Sequence, residues 1–303
     1  MRPRPASTDS CVTRLRPETF ELGGPTLALD PRTHAFRNDL ADISLAGRRF
    51  APHYAKAEPA RCVVRSAMLY ATPNGDAPAV SQLLHGESFQ LLDRSGGWAW
   101  GWCEADGYVG YLPDAALGAP EVVTHRVTAP LALAFAGPNI KEAVTAHLPM
   151  GALLSGVETG AFLRTAEGHV HLRHVCPVQE GETDWTAVAE RLVGQPYLWG
   201  GRGDGGIDCS GLVQLALGLA GIAAPRDSDQ QREAVGTELA GDASLARGDL
   251  VFFPGHVGIM MDETRLIHAN AWWMAVTVEP LADVVGRLSD HAEPVLARRR
   301  IAR

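Results

Sequence analysis

The chain has 303 residues, enough for two or three domains, and its hydrophobic content of 46% is sufficient for buried cores. Its formal net charge of −8 argues against nucleic acid or an anionic membrane surface as a main partner. No run approaches the ~18 apolar residues of a transmembrane helix, and no apolar segment follows the basic start at residues 1–5. We therefore expect neither a membrane span nor a secretory signal peptide.

Cysteine usage indicates the redox environment. The five cysteines are unevenly spaced and form no CxxC or Cys/His ligand pattern, so we expect no zinc site, no other metal and no cofactor. An odd number without a disulfide framework fits a reducing cytoplasm, in which a free catalytic thiol also survives. The cysteines are Cys11, Cys62, Cys103, Cys176 and Cys209.

Residues 1–59 are rich in proline and arginine, with a polar amphipathic stretch around residues 38–45. This composition predicts a partly irregular N-terminal arm that packs on the domains behind it. Whether the arm blocks or builds a functional site is open from the sequence.

Residues 60–120 contain short β-like runs separated by turns such as Pro73-Asn74-Gly75-Asp76, which predicts a small antiparallel barrel. The runs cover residues 61–64, 81–84, 87–92, 98–102 and 107–112. The segment resembles bacterial SH3 domains through Gly86-Glu87 before a strand, the Gly97-Trp98 pair and Gly107-Tyr108-Val109-Gly110-Tyr111.

Residues 121–180 repeat a similar spacing with few aromatic residues, which favours a degenerate second SH3-like barrel. Its apolar runs cover residues 122–127, 152–154, 162–164 and 168–172. The polar stretch 178–184 is typical of a linker, and we place a C-terminal domain at residues 181–303.

The most informative motif of that domain is Asp208-Cys209-Ser210, between a glycine-rich run at residues 200–206 and an apolar pattern of helical period at residues 212–220. Asp208 suits a helix N-cap, which places Cys209 in the first turn. The positive end of the helix dipole favours a thiolate there, and the thiolate is the nucleophile. A structural buried cysteine is the alternative interpretation of this motif alone.

Two predicted strands downstream each carry a histidine. His256 begins the strand at residues 256–261, and His268 lies in the strand at residues 266–270. Adjacent antiparallel strands can bring the two side by side, so that with Cys209 they supply nucleophile, base and orienting residue. A single histidine is more often an ordinary core or surface residue, but three suitable residues in one short segment favour catalysis.

The region from about Asp184 to Arg303 resembles the NlpC/P60 cysteine peptidases, whose motifs occur here in the family's order. They are Gly194-Gln195-Pro196-Tyr197-Leu198-Trp199-Gly200-Gly201, Asp208-Cys209-Ser210-Gly211-Leu212-Val213, Arg226-Asp227-Ser228-Asp229-Gln230-Gln231, Arg247-Gly248-Asp249-Leu250-Val251-Phe252-Phe253, Gly255-His256-Val257-Gly258-Ile259 and Ile267-His268-Ala269. The resemblance implies an α+β fold, with a papain-like, circularly permuted catalytic domain behind two small SH3-like barrels. It further implies Cys209 as nucleophile, His256 as base, His268 as orienting residue, and hydrolysis of peptidoglycan stem peptides, most often after γ-D-glutamate.

Other matched positions are candidates for substrate binding, each with a structural alternative. Tyr197 precedes the glycine loop, where its hydroxyl could position substrate or support an oxyanion, or its ring could simply pack under the loop. Asp208 and Ser210 flank the nucleophile and either bind substrate or cap the helix. Asp227 and Ser228 match part of the family's substrate cleft, or cap the next helix.

Two SH3-like modules ahead of this peptidase resemble the branch of the family that recycles wall peptides. That resemblance implies cleavage of the γ-D-glutamyl–L-diamino acid bond (diaminopimelate or lysine) in released stem peptides with a free N-terminal L-alanine. In that branch an acid and a tyrosine of the first barrel bind the amino terminus. They correspond best to Glu87 and Tyr108 here, with Tyr111 as the alternative tyrosine. A surface glutamate and a barrel-core tyrosine are the plainer interpretation of these positions.

Oligomeric state and the identity of the diamino acid are open, and so are two other functions. A decayed peptidase would leave a non-catalytic protein that binds wall peptides, although the intact Cys209, His256 and His268 argue against it. A papain-like amidase or acyltransferase acting on a non-wall substrate is also compatible with the fold. We favour the cytoplasmic recycling peptidase.

Overall fold

The computed structural model describes residues 23–24, 26–241, 243–288 and 290–302. The predictions for residues 1–22, including Cys11, lie outside these ranges. The described part of the arm contains β1 (Leu40–Asp42) and β2 (His53–Ala55), which pair in parallel. A small apolar core beneath them includes Ala41, Leu45 and Ala51.

Two arginines fasten this arm to the first barrel. The backbone carbonyl of Arg32 accepts a hydrogen bond of 2.8 Å from the backbone N–H of Val109. Arg37 forms an ion pair of 2.8 Å with Asp93 and places its guanidinium 4.4 Å from the ring centroid of Trp100. The described part of the arm is therefore packed on the barrel.

The first barrel is one antiparallel sheet in the order β5-β4-β8-β7-β6-β3-β9. Its strands are β3 (Glu58–Cys62), β4 (Ser66–Tyr70), β5 (Ala79–Leu84), β6 (Ser88–Ser95), β7 (Trp98–Cys103), β8 (Val109–Pro113) and β9 (Leu117–Gly118). Alternate residues such as Phe89 and Leu91 point into the core, which is the period-2 pattern of a half-buried strand. β5, β6, β7 and β8 overlap runs predicted from the sequence, β3 does so only at residues 61–62, and β4 was not predicted.

The segment predicted as a second barrel contains two sheets, β13-β10-β17 and β12-β11-β16-β15-β14. Its strands are β10 (His125–Val127), β11 (Leu131–Phe135), β12 (Val144–Pro149), β13 (Leu153–Leu154), β14 (Gly156–Thr159), β15 (Phe162–Thr165), β16 (His169–His171) and β17 (Val175–Pro177). The barrels meet where the backbone N–H of Leu153 donates to the carbonyl of His85. Gly86 has a φ of +76°, and a Cβ there would overlap the carbonyl of Leu153, so this approach requires glycine.

The C-terminal domain packs helices against a six-stranded sheet in the order β18-β23-β19-β20-β21-β22. The helices are α1 (Trp185–Glu190), α2 (Cys209–Leu219), α3 (Ser228–Ala234) and α4 (Leu281–Arg287). The strands are β18 (Thr237–Glu238), β19 (Leu250–Phe253), β20 (His256–Met260), β21 (Arg265–Asn270), β22 (Ala275–Pro280) and β23 (Ala297–Arg300). Because α2 packs directly on β20 and β21, the thiol at its start lies beside the strands that carry both histidines. Within the described ranges, no helix has the length and apolar character needed to cross a membrane.

Candidate active site

Cys209 is the first residue of α2 and lines a cavity of about 270 Å³. Three parts of the chain form its walls. The arm contributes Arg32, the first barrel contributes Val80 and Tyr108, and the C-terminal domain contributes Asp227 beside the thiol. Of the other sequence candidates, Asp208, Ser210 and Ser228 also line the cavity.

The two predicted histidines are in contact. Nε2 of His256 lies 2.8 Å from Nδ1 of His268, and the ring centroids are 5.0 Å apart. Nε2 of His268 lies 2.8 Å from Oε1 of Glu279, which in turn pairs with Arg287. Sequence reasoning found the histidines and missed Glu279, because a single glutamate near a strand end carries no recognisable pattern.

Burial governs the protonation of the nucleophile and base. It raises the pKa of the Cys209 thiol to about 12, and the adjacent Asp208 carboxylate acts in the same direction. Desolvation also lowers the pKa of His256 to about 3. The pair is therefore thiol and neutral imidazole in this structure, because desolvation outweighs the helix N-terminus that led us to expect a thiolate. A reaction at this thiol therefore needs a base to take its proton, and neutral His256 on the neighbouring strand is the candidate.

A buried arginine fixes the turn that presents the thiol. Arg226 is 1% exposed and donates to both oxygens of Asp208, at 2.6 and 3.0 Å, and to Oγ of Ser210 at 2.9 Å. Asp208 also accepts from the backbone N–H of Gly211 at 2.7 Å, so it caps α2. Of the two roles considered for Asp208, the structure assigns it the helix cap.

Gly211 allows α2 to lie against the glycine-rich loop. A Cβ at this position would overlap the carbonyl oxygen of Gly201 and lie 2.9 Å from Oδ1 of Asp208. The loop, the cap and the first turn therefore form one close-packed unit around Cys209.

Tyr197 is half-buried on the loop before α2, where its backbone N–H donates to the carbonyl of Met274. Burial raises the pKa of its hydroxyl to about 12, with Cys209 and Asp208 adding to the effect. The hydroxyl therefore remains protonated and can donate a hydrogen bond near the thiol.

A cluster of charged side chains lines the cavity where the arm contributes to its wall. The Tyr108 hydroxyl donates to Oδ2 of Asp227 at 3.0 Å, and Nη1 of Arg32 pairs with the same oxygen at 2.9 Å. Arg32 also pairs with Asp30 and Asp229, at 2.8 and 2.9 Å. Three carboxylates share one guanidinium, so the cluster retains an excess of negative charge. Sequence reasoning identified Tyr108 and Asp227 and missed Arg32, which belongs to the arm.

Glu87 lies elsewhere. Its carboxylate pairs with Arg202 at 2.6 and 3.0 Å and accepts the backbone N–H of Leu84 at 2.8 Å. It faces a second cavity of about 380 Å³ at the junction of the barrels and the C-terminal domain. Among the described residues that line the Cys209 cavity, neither Glu87 nor Tyr111 appears. The structure thus assigns Glu87 to an inter-domain ion pair and corrects its placement in the cleft.

Two stretches of the chain match known families. Residues 194–285 match the NlpC/P60 family, and residues 69–117 match the bacterial dipeptidyl-peptidase Sh3 domain. The chain carries an NlpC/P60 cysteine peptidase domain. The first match contains Cys209, His256, His268 and Glu279, so it coincides with the hydrogen-bonded site.

Two curated relatives and one solved structure are similar to most of the chain. Dipeptidyl-peptidase 6 of Lysinibacillus sphaericus is 27% identical over 72% of this chain and 90% of its own length. The γ-D-glutamyl-L-lysine dipeptidyl-peptidase of Bacillus cereus is 24% identical over 70% of this chain and 73% of its own length. The crystal structure of an NlpC/P60 family protein from Bacillus cereus superimposes with a TM-score of 0.69 at 20% identity, covering 80% and 99% of the two chains. The predicted fold class is confirmed.

In the NlpC/P60 domain, His256, His268 and Glu279 thus form one hydrogen-bonded chain on the strands against which α2, the helix that begins with Cys209, is packed. Within the described ranges, no group of three or more His, Cys, Asp or Glu side chains is placed to hold a metal ion. The side chains at the reaction centre can supply acyl transfer to sulfur, with His256 moving the proton.

Proposed function

We propose that this peptidase hydrolyses the γ-D-glutamyl–L-diamino acid bond of peptidoglycan stem peptides that have a free N-terminal L-alanine. The diamino acid would be diaminopimelate or lysine, and the role would be recycling of released wall peptides in the cytoplasm. The observation that carries the proposal is the Asp227 carboxylate in the same cavity as the Cys209 thiol, held there by Tyr108 and Arg32.

The charges of this cluster favour an ammonium group as ligand. Both hydrogen bonds from Tyr108 and Arg32 fall on Oδ2 of Asp227, which leaves Oδ1 for a ligand. Burial raises the pKa of Asp227, so an ammonium partner would stabilise the ionised carboxylate. In this proposal Asp227, and not Glu87, is the acid that binds the substrate's amino terminus, together with Tyr108.

The size of the cavity supports a short substrate. Its volume of about 270 Å³ lies below the ~300–1,000 Å³ typical of small-molecule sites. Arg32 of the arm and Tyr108 of the barrel line this cavity together with Asp227, so an amino terminus bound at Asp227 would lie among them. The relatives named as dipeptidyl-peptidases are consistent with removal of a dipeptide.

The reaction would proceed by acyl transfer. Sγ of Cys209 attacks the γ-glutamyl carbonyl as His256 takes the thiol proton, and the backbone N–H of Cys209 with the Tyr197 hydroxyl can stabilise the oxyanion. Collapse breaks the C–N bond, and His256 gives the proton to the departing amine of the diamino acid. Water, deprotonated by His256, then hydrolyses the thioester and restores the thiol.

A pair of tripeptides tests the proposal. The free-amine substrate L-Ala-γ-D-Glu-L-Lys should be cleaved with a kcat/KM about tenfold or more above that of its N-acetylated form, because loss of a buried charge partner costs more than the ~1.4 kcal/mol of a tenfold change. Equal rates on both peptides would reject the recycling role and retain the peptidase. The Cys209→Ala variant should keep its fold and cleave neither peptide, and cleavage by that variant would reject the acyl-transfer mechanism.

A further inference from the structure

Glu279 is a buried acid at the end of β22 that the nucleophile–base–orienting triad does not include. It is 8% exposed, and its carboxylate lies 2.8 Å from Nε2 of His268. Nη1 and Nη2 of Arg287, the last residue of α4, hold its two oxygens at 2.7 and 2.9 Å. Burial alone would raise the pKa of Glu279, but hydrogen bonds from Arg287, Trp273 and His268 bring it down to about 2. The side chain is therefore an anion that can only accept hydrogen bonds.

The Glu279 carboxylate determines which ring nitrogen carries the proton in His268 and, through it, in His256. Since the carboxylate only accepts, Nε2 of His268 must carry a proton and donate it. His268 is neutral, because burial lowers its pKa, so its Nδ1 is a bare acceptor. The neighbouring Nε2 of His256, 2.8 Å away, must then carry the proton of that contact. Nδ1 of neutral His256 is left without a proton, which is the state a base needs.

We propose that Glu279 is a positioning residue for the peptidase reaction, which sets the tautomers of both histidines so that Nδ1 of His256 is the base for Cys209. Arg287 holds the carboxylate in place from α4. When His256 takes the thiol proton it becomes an imidazolium, and the negative charge of Glu279, transmitted through His268, opposes the unfavourable burial of that cation. No proton leaves His268 in the cycle. The inference depends on the peptidase chemistry and not on the substrate proposed above.

The Glu279→Gln variant tests this role with almost no change in shape. An amide has one acceptor oxygen, for which Arg287, Trp273 and His268 would compete as donors. When Arg287 and Trp273 hold that oxygen, the amide NH2 group faces Nε2 of His268. Both tautomers then reverse, and a proton lies on Nδ1 of His256. We expect kcat to fall about 10²-fold or more. The loss should be smaller than the ~10⁴-fold seen when a carboxylate that contacts a catalytic histidine directly is changed to an amide, because His268 lies between Glu279 and His256.

The measurements separate positioning from a merely structural role. KM for L-Ala-γ-D-Glu-L-Lys should stay within about twofold, because Glu279 lies outside the cavity lining, whereas a general loss of structure would change both constants. Alkylation of Cys209 by iodoacetamide should slow in parallel with kcat, and this readout needs no substrate. Glu263→Gln, the same change on the exposed turn before β21, is the matched control and should leave kcat, KM and alkylation unchanged.

Nitrogen NMR of the imidazoles provides the decisive readout even if the variant folds poorly. In the unmodified protein we expect Nδ1 of His256 unprotonated and Nε2 of His268 protonated, and in Glu279→Gln we expect both reversed. A proton on Nδ1 of His256 in the unmodified protein would overturn the proposal. So would a Glu279→Gln variant with unchanged kcat.

Discussion

Substitution of Glu87 distinguishes an inter-domain ion pair from a substrate ligand. Glu87→Ala removes both oxygens to which the guanidinium of Arg202 donates. The side chains of the pair are only 7% and 12% exposed, so solvent cannot replace the lost partner. Removing one member of such a pair costs about 3–5 kcal/mol. Arg202 keeps hydrogen bonds to the carbonyl of Gln82 and to Gln214, which places the expected loss near the lower end, about 3 kcal/mol.

Two assays distinguish a role of Glu87 in stability from a role in substrate binding. Denaturant unfolding followed by tryptophan fluorescence should show the loss of stability. The kcat/KM ratio for free-amine and N-acetylated tripeptides should change less than about twofold, because Glu87 lies outside the Cys209 cavity. Glu121→Ala breaks the more exposed pair with Arg61 and, as the control, should cost at most about 1 kcal/mol. A Glu87→Ala protein of unchanged stability that no longer prefers the free amine would refute this reasoning.

Three further predictions concern the site itself. Asp227→Asn should raise KM for the free-amine tripeptide about tenfold and leave the N-acetylated peptide unaffected in initial-rate assays; equal effects on both would remove Asp227 from amine recognition. Gly211→Ala should cost about 1–3 kcal/mol in denaturant unfolding and reduce kcat, since its Cβ meets the Gly201 carbonyl, and wild-type stability would contradict that contact. Burial lowers the pKa of His256 to about 3 and also lowers that of His268, so the unfolded chain binds more protons below pH 6.5, and for His256 this difference extends to pH 4.5. As the pH is lowered through this range, the free energy of unfolding should decrease by up to about 1.4 kcal/mol per pH unit for each histidine. A His256→Asn variant whose free energy of unfolding has the same pH dependence as that of the unmodified protein would contradict this.

Local patterns of the sequence are sufficient to predict which elements carry Cys209, His256 and His268 and that these elements are neighbours. Asp208 before an apolar helical run specifies the cap and so places Cys209 in the first turn. The alternating strands around His256 and His268 specify an antiparallel pair, and α2 covers that pair. Each step uses neighbours along the chain, or strands adjacent in sequence.

The remaining parts of the site depend on contacts between segments that are distant in the sequence. Such contacts cannot be predicted from the local patterns of a single sequence. The local pattern of Glu87, a glycine followed by an acid before a strand, suggested a residue of the substrate pocket. Its position is instead determined by its ion pair with Arg202, which lies 115 residues away in the sequence. Arg32 reaches Asp227 across 195 residues, from an arm whose composition suggested only irregular structure. Glu279 becomes recognisable only when the pairing of β21 with β22 places it near His268.

The division of the cavity walls between three segments has an evolutionary consequence. The candidate nucleophile and the two histidines lie on α2, β20 and β21, whereas Arg32, Val80 and Tyr108 lie on the arm and the first barrel. Substitutions in those two outer segments alter the space and charge beside the thiol without disturbing the helix and strands that hold it. Selectivity in this architecture can therefore diverge between lineages while the bond-breaking chemistry is retained.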